Sequence, residues 1–186
     1  VPQCPTMWMD NGKGEYKSDT KDSIYTKSLF ELINSYVKEN RDIDMNRIYI
    51  GGCSDGGYMT MEMLLHFPDY FAAAFPICEA YHDEYITGDQ IDMIKHIPLW
   101  FTYAKTDKVI DYTICTIPTV KRLLDAGASN VHVSVFDDVH DTTGLYKNED
   151  GSAYTYNGHC SWIYWYNNEC YEDELNAWEW LAQQGN

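Results

Sequence analysis

The chain has 186 residues, 29 Asp+Glu against 13 Lys+Arg for a formal net charge of −16, and 45% hydrophobic and 15% aromatic content. An acidic balance of this size repels nucleic acid and anionic membrane surface, because the few cations are scattered singly or in pairs rather than gathered in a basic patch. The aromatic content excludes a disordered acidic chain, no run of about 18 apolar residues provides a transmembrane helix, and the length suits one domain over residues 1–186.

In chain order, Asp22 to Asn40 reads as an amphipathic helix, with Ile24, Leu29, Leu32, Ile33, Tyr36 and Val37 near helical spacing. Arg47 to Gly51 is a short β-branched and aromatic run closed by glycines, which predicts a buried strand. After a turn at residues 52–57, the Met-rich stretch Tyr58 to His66 predicts a buried helix stopped by Pro68. Phe71 to Ile77 and Leu99 to Ala104 are the next strands, the latter introduced by Pro98. Thr113 to Ala126 predicts a helix ending at Gly127, with Pro118 marking an alternative first turn. Val131 to Phe136 alternates as a strand, and Glu172 to Gln184 places Leu175, Trp178 and Leu181 on one helical stripe. Strands alternating with helices imply right-handed crossovers and a mostly parallel sheet in a three-layer α/β/α fold, with ligands at the carboxyl ends of the strands.

Between the first predicted strand and the helix after it, Gly52-x-Ser54-x-Gly56 matches the nucleophile elbow. The expected geometry strains the serine backbone and needs residues without Cβ at both flanking positions, lifting the Ser54 hydroxyl above the sheet with the Asp55 N–H as one oxyanion donor. A serine nucleophile needs a base, and the base an orienting carboxylate. Asp107, just past the third strand, fits the acid; Asp111 is the competitor and reads better as a helix cap. His66, His82 and His96 precede the acid and His132 lies inside a strand, which leaves His140 and His159. Cys53 precedes Ser54 and Cys160 follows His159, so a serine and histidine within hydrogen-bond reach bring these cysteines near the separation of about 7 Å that a disulfide tolerates. That pairing favours His159, with His140 kept as the alternative.

The six cysteines, at positions 4, 53, 78, 115, 160 and 170, fit no CxxC zinc spacing, and the Asp137 to Asp141 run reads as a solvated acidic loop. No metal or cofactor is expected. A bonded Cys53 and Cys160 would indicate secretion, free thiols the cytoplasm.

The stretch Asp44-Met45-Asn46-Arg47-Ile48-Tyr49-Ile50-Gly51-Gly52-Cys53-Ser54-Asp55-Gly56-Gly57-Tyr58 is similar to the elbow region of the esterase and prolyl-oligopeptidase-like branches of the α/β-hydrolases. Val1-Pro2-Gln3-Cys4-Pro5, followed by Trp8, resembles the segment after the fourth strand in carboxylesterase and polyhydroxybutyrate-depolymerase-like relatives. The order Cys53-Ser54, Asp107, His159-Cys160 is similar to that of feruloyl esterases and tannases, in which a disulfide joins the neighbours of the serine and histidine, although the large lid of those enzymes has no counterpart here. The resemblance implies a serine esterase acting on small-molecule or carbohydrate esters, including plant cell-wall esters, with a peptidase or a non-catalytic carbohydrate-binding domain as alternatives. It also implies that the N-terminal strands of the fold, and the second oxyanion donor, lie in an N-terminal segment of the same fold outside this chain.

Overall fold

The computed structural model describes residues 1–14 and 21–186. Strands β1 (Tyr49–Cys53), β2 (Ala73–Ile77), β3 (Leu99–Ala104) and β4 (Val131–Phe136) form one parallel sheet in the order β1-β2-β3-β4. The connections run through α2 (Asp55–His66), α3 (Gly88–Ile94) and α4 (Thr116–Asp125); α1 (Thr26–Glu39) precedes the sheet, and α5 (Trp162–Tyr166) and α6 (Ala177–Gln183) follow it. The three-layer α/β/α architecture expected from the alternation is the one observed. No described helix is long and apolar enough to cross a membrane.

Strand alternation sorts the side chains into two cores. Ile50, Ala74, Leu99, Phe101 and Val133 face one side, where Leu29 of α1, the methionines of α2, Ile91 and Ile94 of α3 and Leu123 of α4 pack. Tyr49, Ala73, Ile77, Trp100 and Ala104 face the other, against Tyr164 and Trp165 of α5 and Trp180 and Leu181 of α6. Burying each such large apolar side chain contributes about 1.5–3 kcal/mol. The second core is aromatic: Phe75 stacks on Trp165 with ring centroids 4.7 Å apart, and buried Trp100 donates its Nε1–H to Ser134 Oγ at 2.9 Å.

The departures from expectation are shifted element ends, one missed helix and one helix start replaced by a hairpin. Helix α1 starts at Thr26 rather than Asp22, because Asp22 has φ +62° and the Ser23 side chain holds a turn by accepting from Tyr25 N. Strand β1 runs on to Cys53, so strand and elbow are contiguous. Sequence periodicity missed α3, whose Thr87 and Gln90 form a reciprocal capping box. The helix expected from Glu172 is corrected: β5 (Tyr171–Glu172) and β6 (Leu175–Asn176) make a hairpin turning at Asp173, φ +52°, and α6 begins only where Asn176 Oδ1 accepts from Trp178 N and Glu179 N.

Strand β1 pairs only with β2 among the described residues. Its other edge borders an apolar groove of about 700 Å³ lined by Leu29, Ile33, Ile50 and Trp8, reaching Asp55 and Tyr166.

Candidate active site

Ser54 sits between β1 and α2 with φ +57° and ψ −114°, a backbone conformation costing on the order of 1–3 kcal/mol. Its surroundings hold it there: Ser54 N donates to Ile77 O at 2.9 Å and its carbonyl accepts from Tyr58 N at 2.9 Å. A Cβ on Gly52 would lie 2.5 Å from the Gly56 carbonyl, and one on Gly57 2.8 Å from Glu79 Cα. A Cβ on Gly56 would meet nothing within 4 Å, so the expectation that both flanking glycines are sterically required is corrected: Gly52 and Gly57 allow the close approach. Asp55 is the first residue of α2, so its N–H has no intrahelical partner, and the helix dipole adds positive potential there.

His159 reaches Ser54 from a 3-10 turn over Gly158–Cys160, which Asn157 caps by accepting from His159 N at 2.9 Å. Its Nε2 lies 2.8 Å from Ser54 Oγ and its Nδ1 2.8 Å from Asp107 Oδ2. A proton on Nδ1 satisfies both contacts, donating to the carboxylate and leaving Nε2 to accept from the serine hydroxyl. Asp107 stands in the loop after β3, and its other oxygen accepts from Val109 N at 2.8 Å and Ile110 N at 3.1 Å. Burial disfavours its charge, but the hydrogen bonds from His159, Ile110 and Val109 outweigh it and hold the carboxyl below the usual carboxylate range. The structure thus brings Ser54, His159 and Asp107 into one hydrogen-bonded line at the carboxyl ends of β1 and β3.

The other candidates lie elsewhere. Asp111 holds a turn before α4, accepting from Thr113 N at 2.9 Å. His140 pairs with Asp138 at 2.6 Å in an exposed loop. His66 lies beside Glu62, His82 stacks on Tyr85, His96 faces Asp69, and His132 stacks on Trp100 and contacts Glu172.

The cysteine expectation is corrected. All six cysteines are free thiols, Cys53 and Cys160 included. Cys53 packs instead against the Tyr166 hydroxyl, and burial pushes its thiol up to about 11.

Several supporting residues carried little sequence signal. A Cβ on Gly158 would fall 2.3 Å from the Thr106 carbonyl carbon, so this glycine lets the histidine loop rest on the acid loop; its place directly before His159 was the available clue. The Trp162 ring stands edge-on to His159, centroids 5.4 Å apart. Cys78, φ +37°, places its sulfur within 4.8 Å of ligating atoms of Asp107 and His159, and burial above all pushes its thiol pKa up, keeping it neutral. The Asp55 carboxylate accepts from Trp8 N at 2.7 Å and Met9 N at 3.0 Å, tying the Trp8 segment to the elbow. Burial, opposed by those two hydrogen bonds, leaves its pKa raised.

The sequence model of the prolyl oligopeptidase family matches residues 6–87, less than half of the chain. Poly(3-hydroxyalkanoate) depolymerase C from Paucimonas lemoignei is 46% identical over 50 residues, 27% of this chain and 12% of that protein. A thermostable esterase of known structure is 31% identical, covers 86% of this chain and superposes with a TM-score of 0.63; the chain spans 37% of its length. Uncomplexed Pyrococcus horikoshii acylaminoacyl peptidase, 17% identical, covers 85% of the chain with a TM-score of 0.53, while the chain spans 30% of it, a likeness of fold alone.

Proposed function

The chain has the α/β-hydrolase fold, and on that fold we propose a serine hydrolase of carboxylic esters, with Ser54 as nucleophile, His159 as general base and acid, and Asp107 as the orienting carboxylate. The observation that carries this reading is the unbroken line from Ser54 Oγ through the His159 ring to Asp107 Oδ2, both contacts 2.8 Å.

In the proposed reaction Ser54 Oγ attacks the ester carbonyl carbon while His159 Nε2 takes the hydroxyl proton. Asp107 stabilises the imidazolium without itself taking the proton. The developing oxyanion is met by the Asp55 N–H at the start of α2. The tetrahedral intermediate collapses by breaking the ester C–O bond, and His159 delivers its proton to the leaving alcohol. Water, deprotonated by the same nitrogen, then attacks the acyl-serine to release the acid and restore Ser54. A second oxyanion donor belongs on the β1 side of the site, where the groove reaches Asp55.

The names of the depolymerase and the thermostable esterase support ester over amide chemistry. The charge of −16 opposes anionic polymers, which points to neutral esters: hydroxyalkanoate oligomers, acetyl or feruloyl sugars of plant cell walls, and short acyl esters. The prolyl oligopeptidase match over residues 6–87 favours a second reading, a peptidase using the same residues. Hydrolysis of matched p-nitrophenyl esters and peptide p-nitroanilides by the purified protein separates the two. Ester turnover faster by orders of magnitude is expected; amide turnover rivalling it would replace the esterase reading.

A further inference from the structure

Cys78, the residue after β2, is held at φ +37°, a left-handed conformation that a side chain with a Cβ adopts under strain. The turn is pinned on both sides. Cys78 N donates to Thr102 O of β3 at 2.7 Å, and the carbonyl of Ile77 accepts from Ser54 N of the elbow at 2.9 Å. The main chain is thereby fixed between β1 and β3, and the buried side chain places its sulfur within 4.8 Å of ligating atoms of both Asp107 and His159. The reaction proposed above gives this sulfur no bond to make or break. Filling the core accounts for its burial but not for the strained backbone that aims it at the acid and the base.

Asp107 shows what such a neighbour can do. A carboxylate offers about four lone-pair sites, and three are taken: Oδ1 accepts from Val109 N and Ile110 N, and Oδ2 from His159 Nδ1. Among the described residues no donor takes the fourth, and with the Asp107 side chain 2% exposed, bulk water has little access to it. A water or hydroxyl bonded there would compete with the imidazole and loosen the ring. A thiol is bulky and a weak donor, so at this place it fills space without competing.

We propose that Cys78 is a positioning residue: its sulfur packs against the Asp107–His159 pair and keeps water and stronger donors off the carboxylate, so that Asp107 holds the imidazole in one orientation toward Ser54. This role rests on the serine-hydrolase reading for its effect on turnover, while the hydrogen bond between Asp107 and His159 can be observed without it.

The test compares Cys78→Ser, which exchanges the sulfur for a smaller and strongly hydrated hydroxyl, and Cys78→Ala, which empties the space, with Cys115→Ser at a buried thiol just before α4. Two quantities are read: the hydrolysis of p-nitrophenyl acetate, and the low-field proton resonance of the His159 Nδ1–H at one fixed pH, with its rate of exchange with water. Both Cys78 variants are expected to lower kcat about tenfold with KM within about twofold. In both, the Nδ1–H resonance is expected to move upfield and exchange faster, while Cys115→Ser changes neither quantity. If the alanine variant does not fold, Cys78→Gly, which takes φ +37° without strain, replaces it with the same expectation. An unshifted resonance in the folded Cys78 variants, or an equal loss of kcat in Cys115→Ser, would overturn the proposal. Ester turnover that does not depend on Ser54 in the natural protein would overturn the hydrolase reading instead, and the resonance would still decide the role of Cys78.

Discussion

Two histidine–carboxylate pairs have their histidine in the chain that follows β4. His140 and Asp138 are 2.6 Å apart, His159 and Asp107 2.8 Å, so the shorter contact belongs to the pair away from the serine. They differ in surroundings. Asp138 is 50% exposed and His140 46%, and an ion pair this open is worth at most about 1 kcal/mol and holds its partners loosely. The Asp107 side chain is 2% exposed and His159 14%; two backbone N–H groups fix the free carboxylate oxygen, and the far imidazole nitrogen meets Ser54. Closeness does not make a relay. Burial, saturation of the carboxylate and a third partner in line do, because they leave the imidazole one tautomer and one orientation.

Mutation can break this comparison. Ser54→Ala or His159→Ala is expected to lower kcat for an activated ester by on the order of 10⁶, while His140→Ala stays within about twofold; the opposite pattern would move the base to His140. Asp107→Asn keeps the shape but removes the charge, and is expected to cost about 10⁴ in kcat with little change in KM; Asp138→Asn is expected to cost nothing measurable. Gly158→Ala pushes the histidine loop off Thr106, and displacing a reacting group by an ångström costs on the order of 10²; unchanged kinetics would show that the loops need not touch.

Glu79 sharpens the comparison from the other side. It is buried like Asp107, but its partners are neutral: Tyr81 N donates to Oε2 at 2.7 Å and Thr116 Oγ1 to Oε1 at 3.0 Å. Burial therefore dominates and pushes its carboxyl up to about 8. An acid whose folded pKa exceeds its unfolded value favours the fold at low pH and loses that contribution as pH rises through the window between the two, here from about 4.5 to about 8. Glu79→Gln removes the charge and keeps both contacts, its amide oxygen accepting from Tyr81 N and its amide nitrogen donating to a reoriented Thr116 hydroxyl. Its Tm is expected to exceed that of the natural protein by several degrees at pH 8.5 and to match it near pH 5, read by thermal unfolding across pH; parallel curves would show that Glu79 does not titrate in this range.

How much of this was legible in the sequence depends on whether the determinant is local. Strands β3 and β4 follow their predicted bounds because Pro98, alternation and chain reversal are written in neighbouring residues. The start of α1 was not legible, since Thr26 is held by Glu62, 36 positions away. The serine, acid and histidine that the structure brings together were visible through their order and their places after strands. What positions them was not: the Gly158 contact with Thr106 and the Asp55 clamp on Trp8 and Met9 join segments far apart in the chain. The cysteine neighbours of Ser54 and His159 suggested a bond, but side-chain direction decides bonding, and Cys53 turns to Tyr166.

The central claim is that His159 and Asp107 activate Ser54 and no other hydroxyl. Incubating the purified protein with a fluorophosphonate ester and mapping the adduct by peptide mass spectrometry tests it directly. A single phosphonylated serine at position 54, formed fast in the natural protein and orders of magnitude more slowly in Asp107→Asn, is the predicted result; labelling at another residue, or equal labelling after Ser54→Ala, would contradict it.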